Sequence, residues 1–389
     1  MRIAVPKEIT AGERRVALSP EMAARLTKAG HAVSVQAGAG VSAGFTDAAF
    51  EAAGAALVRD ASTLYRDADA VVKVHRPAWS DAAEASEFEM MKEGAVLVGF
   101  LKPGVDSTLL EKLAARNISA FAMELVPRIS RAQSMDALSS QATVAGYKAV
   151  LLAANALPRF FPMLMTAAGT IRPASVLVVG AGVAGLQAIA TARRLGAVVE
   201  AFDTRPAVRE QVQSLGAKFV SLELESHDAE DAGGYAKALS ADHLRREMAL
   251  IAKHVAVADV VITTAQIPGR PAPVLITQEM VGAMRPGSVI VDLAADSGGN
   301  CEASRPGRTE IVHNVTIMAP LNLPSELAFH ASQMYARNVT SLLELLAPKG
   351  ALTIDLNDEI VRGACVTHDR RVRYVAAGGA VPTGQGAAP

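Results

Sequence analysis

Two periodicities alternate along the chain. Short apolar runs, rich in β-branched residues, predict strands at "RIAVP" (2–6), "HAVSVQ" (31–36), "DAVVKVH" (69–75), "GAVLVGFL" (94–101) and "ISAFAMELV" (118–126). Helical spacing fills "SPEMAARLTKAG", "TDAAFEAAGA" and "DSTLLEKLAARN" (106–117). Ser19 caps the first of these helices, Pro20 takes its first position and Gly30 ends it; Thr46 caps the second. Met22 sits where a capping box would need Glu or Gln. Glu21 nonetheless puts negative charge in the first turn, where the helix dipole favours it.

A helix over 138–156 leads into a second series. It runs "ASVLVVG", a helix over 183–195, "AVVEAFD", a helix over 206–215 and "AKFVSL". After the polar, Gly-containing stretch 223–240 come a helix over 241–256, "ADVVITTA", a helix over 277–284 and "GSVIVDLAAD". "NVTIMAPLNLPS" reads as a last strand and an exit, and residues 327–347 as a long helix. Repeated βα alternation predicts an α/β chain with parallel sheets and two Rossmann-like domains. The second series is complete without 327–347, which therefore returns to the first. The domains are expected at 1–137 with 327–389, and at 138–326 with a linking helix. A loop as long as 223–240 is uncommon unless it moves or covers something. The ending "GGAVPTGQGAAP" reads as loose chain.

Composition removes several classes. In 389 residues, 38 Lys and Arg face 39 Asp and Glu, so no basic excess draws nucleic acid. Two cysteines, Cys301 and Cys365, make neither a disulfide framework nor a metal cluster, and a reducing compartment is expected. "CVTH" pairs Cys365 with His368 at ligand-like spacing but lacks further nearby Cys or His, so no metal site is assigned. "MRIAVPKEIT" has no apolar signal core. The longest apolar stretch, "AVLLAANALPRFFPMLMTAAG", is broken by Asn155, Pro158, Arg159 and Pro162, so no membrane span is expected.

The most specific chemical signal is "VLVVGAGVAGLQAIATARRLGAVVEAFD". Gly180, Gly182 and Gly185 are spaced GxGxxG, follow a strand and open a helix at Val183. Gly180 permits the tight turn, Gly182 lets backbone approach a pyrophosphate and Gly185 allows close helix–strand packing. The helix start offers N–H groups and a favourable dipole to phosphates. Asp203 ends the next strand, where its carboxylate suits ribose hydroxyls and favours NAD over NADP. Thr204 and Arg205 follow; Arg205 fits either a pair with Asp203 or a 2′-phosphate. Thr263, Thr264 and Ala265 end another strand and should lie near the cofactor by the crevice rule, Thr263 being equally suited to packing. The turn "GGN" at 298–300 also approaches that end.

Other polar residues read more weakly. His75 lies beside Lys73 and Arg76 at a strand end, where surface or hydrogen-bonding roles are the commoner ones. Arg14 and Arg15 fit an anion ligand or solvated charge. The stretch "RISRAQSMDALSSQ" (128–141) crowds donors and acceptors between two apolar segments, more than a hinge needs.

That stretch, together with the glycine motif, closely resembles one family. The likeness begins at "IAVPKEITAGERRVALSP". It runs through "AGYKAV", "TAAGTIRPASVLVVGAGVAGLQAIATARRLGA", "FDTRPAVREQVQSLGA" and "TTAQIPGRPAPVLIT" to "MRPGSVIVDLAADSGGN". The chain resembles the NAD(H)-binding component, the soluble alpha subunit or domain I, of proton-translocating, Si/Re-specific nicotinamide nucleotide transhydrogenase. The resemblance implies two domains joined by long helices, NAD(H) in the cleft between them, and a homodimer. It implies that Arg128, Asp136 and Ser139 bind the nicotinamide end, and that Gln133 positions the ring. It also implies that the loop carrying Tyr235 closes over NAD(H). Hydride would pass directly to NADP(H) on a separate beta subunit with no acid or base, alongside integral-membrane subunits. The chain would then sit on the cytoplasmic side of the inner membrane, held through its partners. The wider superfamily includes alanine dehydrogenase, the alternative reading. Arg15 and Lys73 match its oxo-acid ligands. Its proton-transfer histidine would fall near "LVGFLKPG", where this chain has Phe100 and Lys102, and no histidine occurs between His75 and His227.

Overall fold

The computed structural model describes residues 1–221, 241–266, 270–348 and 350–375. Tyr235, its loop and the final "GGAVPTGQGAAP" lie outside them. The chain divides into two compact units, Met1–Gln141 with the chain from Leu327 onward, and Ala142–Glu326.

Unit 1 is built on β1 (Arg2–Val5), β2 (Ala32–Gln36), β3 (Ala56–Val58), β4 (Ala70–His75), β5 (Val96–Phe100) and β6 (Ser119–Ala122). These six run parallel in the order β6-β5-β4-β1-β2-β3. Ala70, Val71, Val72 and Val74 of the central β4 are fully buried, as expected for a strand covered on both faces. Helix α1 (Pro20–Lys28) starts as its sequence implies, with Ser19 Oγ accepting from Met22 N at 3.3 Å. The stretch "ISAFAMELV" is strand only to Ala122; Met123–Leu125 then tightens into a 3₁₀ turn.

Helix α2 (Ala137–Ala156) carries the chain into unit 2. There β7 (Ser175–Val179), β8 (Val198–Phe202), β9 (Lys218–Val220), β10 (Val260–Thr263) and β11 (Val289–Asp292) are parallel. β12 (Thr309–Val312) and β13 (Val315–Met318) complete the order β9-β8-β7-β10-β11-β13-β12. The helix after β7 is α3 (Val183–Arg194). The helix expected over 206–215 divides into a 3₁₀ turn, Pro206–Val208, and a short α-helix, Arg209–Ser214.

The long C-terminal helix, α4 (Ala328–Leu346), belongs to unit 1 and buries Ala331, Tyr335, Val339, Leu342 and Leu346 on one stripe. The chain then adds β14 (Cys365–His368) and β15 (Arg371–Val372) beyond β6.

Both sheets are therefore mixed rather than wholly parallel. β14 pairs antiparallel with β6 and β15, and β12 antiparallel with β13. Each edge hairpin turns on two consecutive residues of positive φ, His313 and Asn314 (51° and 62°), and Asp369 and Arg370 (48° and 59°). That is the backbone of a two-residue primed turn, which matches strand twist. Neither pair contains glycine, so the usual hairpin signal is absent from the sequence. Another unforeseen hairpin, Leu164–Thr166 with Gly169–Ile171, lies in unit 2 and exposes Met163, Met165 and Ile171, Met165 to 80%.

Candidate functional sites

In unit 2 the strand order reverses at β7, whose neighbours β8 and β10 carry the chain to opposite sides. Open α/β sheets bind ligands outside the C-terminal ends of strands at such a point. Gly180 ends β7 with φ +100°, a left-handed conformation that a side chain would strain. A Cβ on Gly185 would lie 1.9 Å from the Gly180 carbonyl oxygen, so only glycine lets α3 start this close to the strand. At Gly182 no atom lies within 4 Å of the added Cβ position. The space that glycine leaves there is open, which is what a ligand approaching the backbone requires. Val183 begins the helix, 40% exposed.

Asp203 is buried and organises this turn. Its Oδ2 accepts from Ala181 N at 2.7 Å, and Oδ1 accepts from Arg205 N at 2.9 Å. The Arg205 guanidinium donates to both oxygens, at 2.9 Å each, so Arg205 is Asp203's ion-pair partner. Thr204, between them, is half-buried. Across the switch point, Thr264 Oγ1 donates to the Gly180 carbonyl at 2.9 Å. Thr263 is buried and donates to Asp292 Oδ1 at 3.0 Å, a packing role.

Sequence reasoning missed what holds Ala265. The Asn300 side chain accepts from Ala265 N at 2.9 Å and donates to Ala265 O and Pro273 O at 2.8 Å. Asp292 fixes the 293–304 turn in the same way, accepting from Ala294 N, Asn300 N, Cys301 N and Ser304 Oγ. The "GGN" turn is the one signal of this in the sequence, and it pointed to ligand rather than to a loop clamp.

In unit 1, residues 128–141 form a 3₁₀ run, Ser130–Met135, followed by α2. Arg128 and Gln133 are exposed. Asp136 caps α2: its Oδ1 accepts from Ser139 N at 2.8 Å and its Oδ2 from Ser139 Oγ at 2.6 Å. Arg131 pairs with Asp358 at 2.6 Å. The structure thus places Arg128, Gln133, Asp136 and Ser139 on one turn, the last two sharing a cap.

Unit 1 has its own switch point, at β1 with neighbours β2 and β4. Here charge fills the place that glycine occupies in unit 2. Lys73, 1% exposed, donates to Glu87 Oε1 at 2.5 Å and lies 3.5 Å from Glu8 Oε2. Tyr65 OH also donates to Glu87, at 2.6 Å, and Val74 N to Glu8, at 2.6 Å. The Arg15 side chain donates twice to Glu13, at 2.9 and 2.7 Å, and once to Gln141 Oε1, at 2.8 Å. His75 Nε2 lies 2.6 Å from Glu13 Oε2. Burial raises the Glu8 carboxyl above its ordinary value and Lys73 only partly offsets this, because Glu87 shares the same ammonium. Burial alone would lower Lys73; the two carboxylates outweigh it and raise it. Phe100, at the histidine position of alanine dehydrogenase, packs against Tyr335 with ring centroids 5.2 Å apart. Next to it, Glu124 Oε1 accepts from Leu101 N at 2.9 Å and Lys102 N at 2.5 Å, and its buried Oε2 has no partner among the described residues. Burial raises this carboxyl too.

A switch-point glycine turn, a helix starting on it and an acid closing the next strand define the dinucleotide-binding class of α/β proteins. The comparisons narrow this class to a family. The alanine dehydrogenase/PNT N-terminal domain matches residues 4–145 and the corresponding C-terminal domain residues 149–375. The chain belongs to the alanine dehydrogenase/PNT family, on the side of the NAD(P) transhydrogenase alpha subunits. It is 50% identical to the first polypeptide of the two-piece NAD(P) transhydrogenase alpha subunit of Rhodospirillum rubrum over 390 residues, covering 100% of both chains. The crystal structure of transhydrogenase from Sinorhizobium meliloti is similar with a TM-score of 0.86 and 44% identity, over 96% of this chain and 100% of that one. Alanine dehydrogenase of Halomonas elongata is 33% identical over 381 residues, 96% of this chain and 95% of that one.

Proposed function

We propose that this chain is the NAD(H)-binding component of a proton-translocating transhydrogenase. Bound in unit 2, NAD(H) would supply or accept the hydride exchanged with NADP(H) on a partner beta subunit. The observation that carries this reading is the glycine cradle, open at Gly182 and closed around Gly185. Gly180, Gly182 and Val183 offer backbone to the pyrophosphate, with the start of α3 favouring its charge. Asp203 and Thr204 face the adenosine ribose, and Arg205 keeps the Asp203 carboxylate ionised and oriented by its paired hydrogen bonds. Thr264 and Ala265 line the far side of the switch point, and Tyr235 would close over the ligand. Arg128, Gln133, Asp136 and Ser139 orient the nicotinamide end. Nothing in this assignment asks a residue to take a proton: the protein's work is orientation, holding reacting atoms roughly 3–3.5 Å apart.

The partners follow from the same reading: a beta subunit and integral-membrane subunits on the cytoplasmic side of the inner membrane. No helix among the described residues is long and apolar enough to cross a membrane. A homodimer is supported by the apolar surface of the 164–171 hairpin, which a second copy would cover.

Similarity to alanine dehydrogenase motivates the competing reading, an amino-acid dehydrogenase that acts alone. Two observations weigh against it. Arg15 and Lys73, the oxo-acid ligands of that reading, are already bonded to Glu13, Glu8 and Glu87. Phe100 stands where the proton-transfer histidine would be needed.

The deciding assay mixes the purified protein with an isolated NADP(H)-binding component and follows hydride exchange between nucleotides. Exchange is expected there, and no NADH oxidation with pyruvate and ammonia. The reverse pattern would replace this proposal with the dehydrogenase. Gln133→Asn should slow exchange far more than it weakens NADH binding; equal losses would remove its ring-positioning role.

A further inference from the structure

Among the buried positions of α4, one is an amide. Asn338 is 7% exposed, between Tyr335 and Leu342 on the stripe that packs into unit 1. A buried amide costs about 1–3 kcal/mol unless its hydrogen bonds are made. Both sides of this one are used. Nδ2 donates to the Ser134 carbonyl at 2.8 Å, and Oδ1 accepts from Ser140 Oγ at 2.7 Å.

These bonds belong to a longer chain with one consistent direction. Arg15 donates to Gln141 Oε1, Gln141 Nε2 donates to Ser140 Oγ at 3.2 Å, Ser140 donates to Asn338, and Asn338 donates to Ser134 O. Gln141 Nε2 also reaches the Ala331 carbonyl at 3.1 Å. Carbonyls only accept, so neither amide can be reversed without leaving a carbonyl unpaired. Bonds in such a series reinforce one another.

The place this chain ends matters. Ser134 lies in the six-residue 3₁₀ run Ser130–Met135. Runs of this kind longer than three or four residues are uncommon, because their hydrogen-bond geometry is poor. An outside clamp is what holds one in a single shape. Asn338 grips this run one residue after Gln133, and Ser140 Oγ ties the same amide to the first turn of α2, beside Asp136 and Ser139.

We infer that Asn338 is a positioning residue: it sets where Gln133 stands and thereby where the nicotinamide ring is held. The inference rests on the transhydrogenase reading. Asn338 acts through the main chain of the 3₁₀ run and touches neither nucleotide in this account.

Three variants test it: Asn338→Ala, Asn338→Ser and Ser140→Ala. Each is assayed for NADH affinity by fluorescence titration and for hydride exchange with an isolated NADP(H)-binding component. Misplacement by about 1 Å can cost roughly 100-fold in rate. N338A should therefore slow exchange by about 10- to 100-fold with NADH affinity held within about threefold. N338S, smaller and still polar, should fall between N338A and wild type, and it carries the test if N338A does not fold. S140A keeps the bond to Ser134 and should lose least. Exchange at the wild-type rate in N338A and N338S would overturn the inference. So would NADH affinity falling in step with rate, the mark of a merely structural role. Absence of exchange in the wild-type protein would instead bring down the transhydrogenase reading, and this inference with it.

Discussion

The two units share a strand order and differ in what stands at its reversal. At the β7 switch point of unit 2, small residues leave the strand end open, and one buried acid shapes the turn through Ala181 N. At the β1 switch point of unit 1, Glu8, Glu13 and Glu87 occupy Arg15, Lys73 and the neighbouring His75. Three carboxylates against two permanent cations leave no net positive field for another anion. The same topology thus yields a nucleotide cradle in one unit and a self-neutralised brace in the other. What differs is side-chain size and charge at a few loop positions, which is why fold alone does not assign function.

The sharpest way to break this comparison is Lys73→Met. Glu8 and Glu87 would be left buried without their cation, and the loss should be about 3–5 kcal/mol in urea unfolding. Adding Glu8→Gln and Glu87→Gln should recover most of it, because the cost lies in unpaired charge. A loss under about 1 kcal/mol in the single variant would mean the brace does not hold unit 1.

On the unit 2 side, Gly185→Ala and Gly182→Ala should separate packing from binding. The first drives a methyl into the Gly180 carbonyl and should cost about 1–3 kcal/mol. The second meets no atom within 4 Å, so stability should stay within about 0.5 kcal/mol while NADH affinity falls. Unchanged NADH affinity in Gly182→Ala would remove the pyrophosphate from that position.

The smallest expected effect is electrostatic. Burial raises the folded-state Glu124 carboxyl above its ordinary 4.5. The folded protein therefore holds this proton more tightly than the unfolded chain. The associated stability is present below about pH 4.5 and is lost as pH rises through the folded value. Glu124→Gln does not titrate, so its stability relative to wild type should rise over that window and then level off. A pH-independent difference, measured by urea unfolding at several pH values, would show that Glu124 is not a titrating cost.

Legibility followed the range of the interaction. The Ser19 cap, the Gly30 stop and the GxGxxG turn depend on neighbours within a few residues, and pattern reading placed them correctly. The edge hairpins escape such reading because His313–Asn314 and Asp369–Arg370 enter positive φ without glycine. β3, three residues long, is too short to carry a period. Asp136 and Ser139 stand out in the sequence as ligand contacts, and their shared cap emerges only with the start of α2 in view. Arg15 and Lys73 are visible as cations, but no spacing rule pairs Lys73 with Glu87, or joins Asn338 to Ser134 across 204 residues.

By itself, then, the sequence determined the alternation of strands and helices, two α/β units and a dinucleotide cradle. Each of these is written in local periodicity or in a residue's own backbone freedom. Tertiary structure alone decided that unit 1's switch point is closed by its own carboxylates, that Asn300 grips Ala265, and that α4 returns to clamp the 128–141 turn. Those outcomes depend on which distant side chains meet in a low-dielectric interior, where an unpaired charge or amide is costly and every partner must be found.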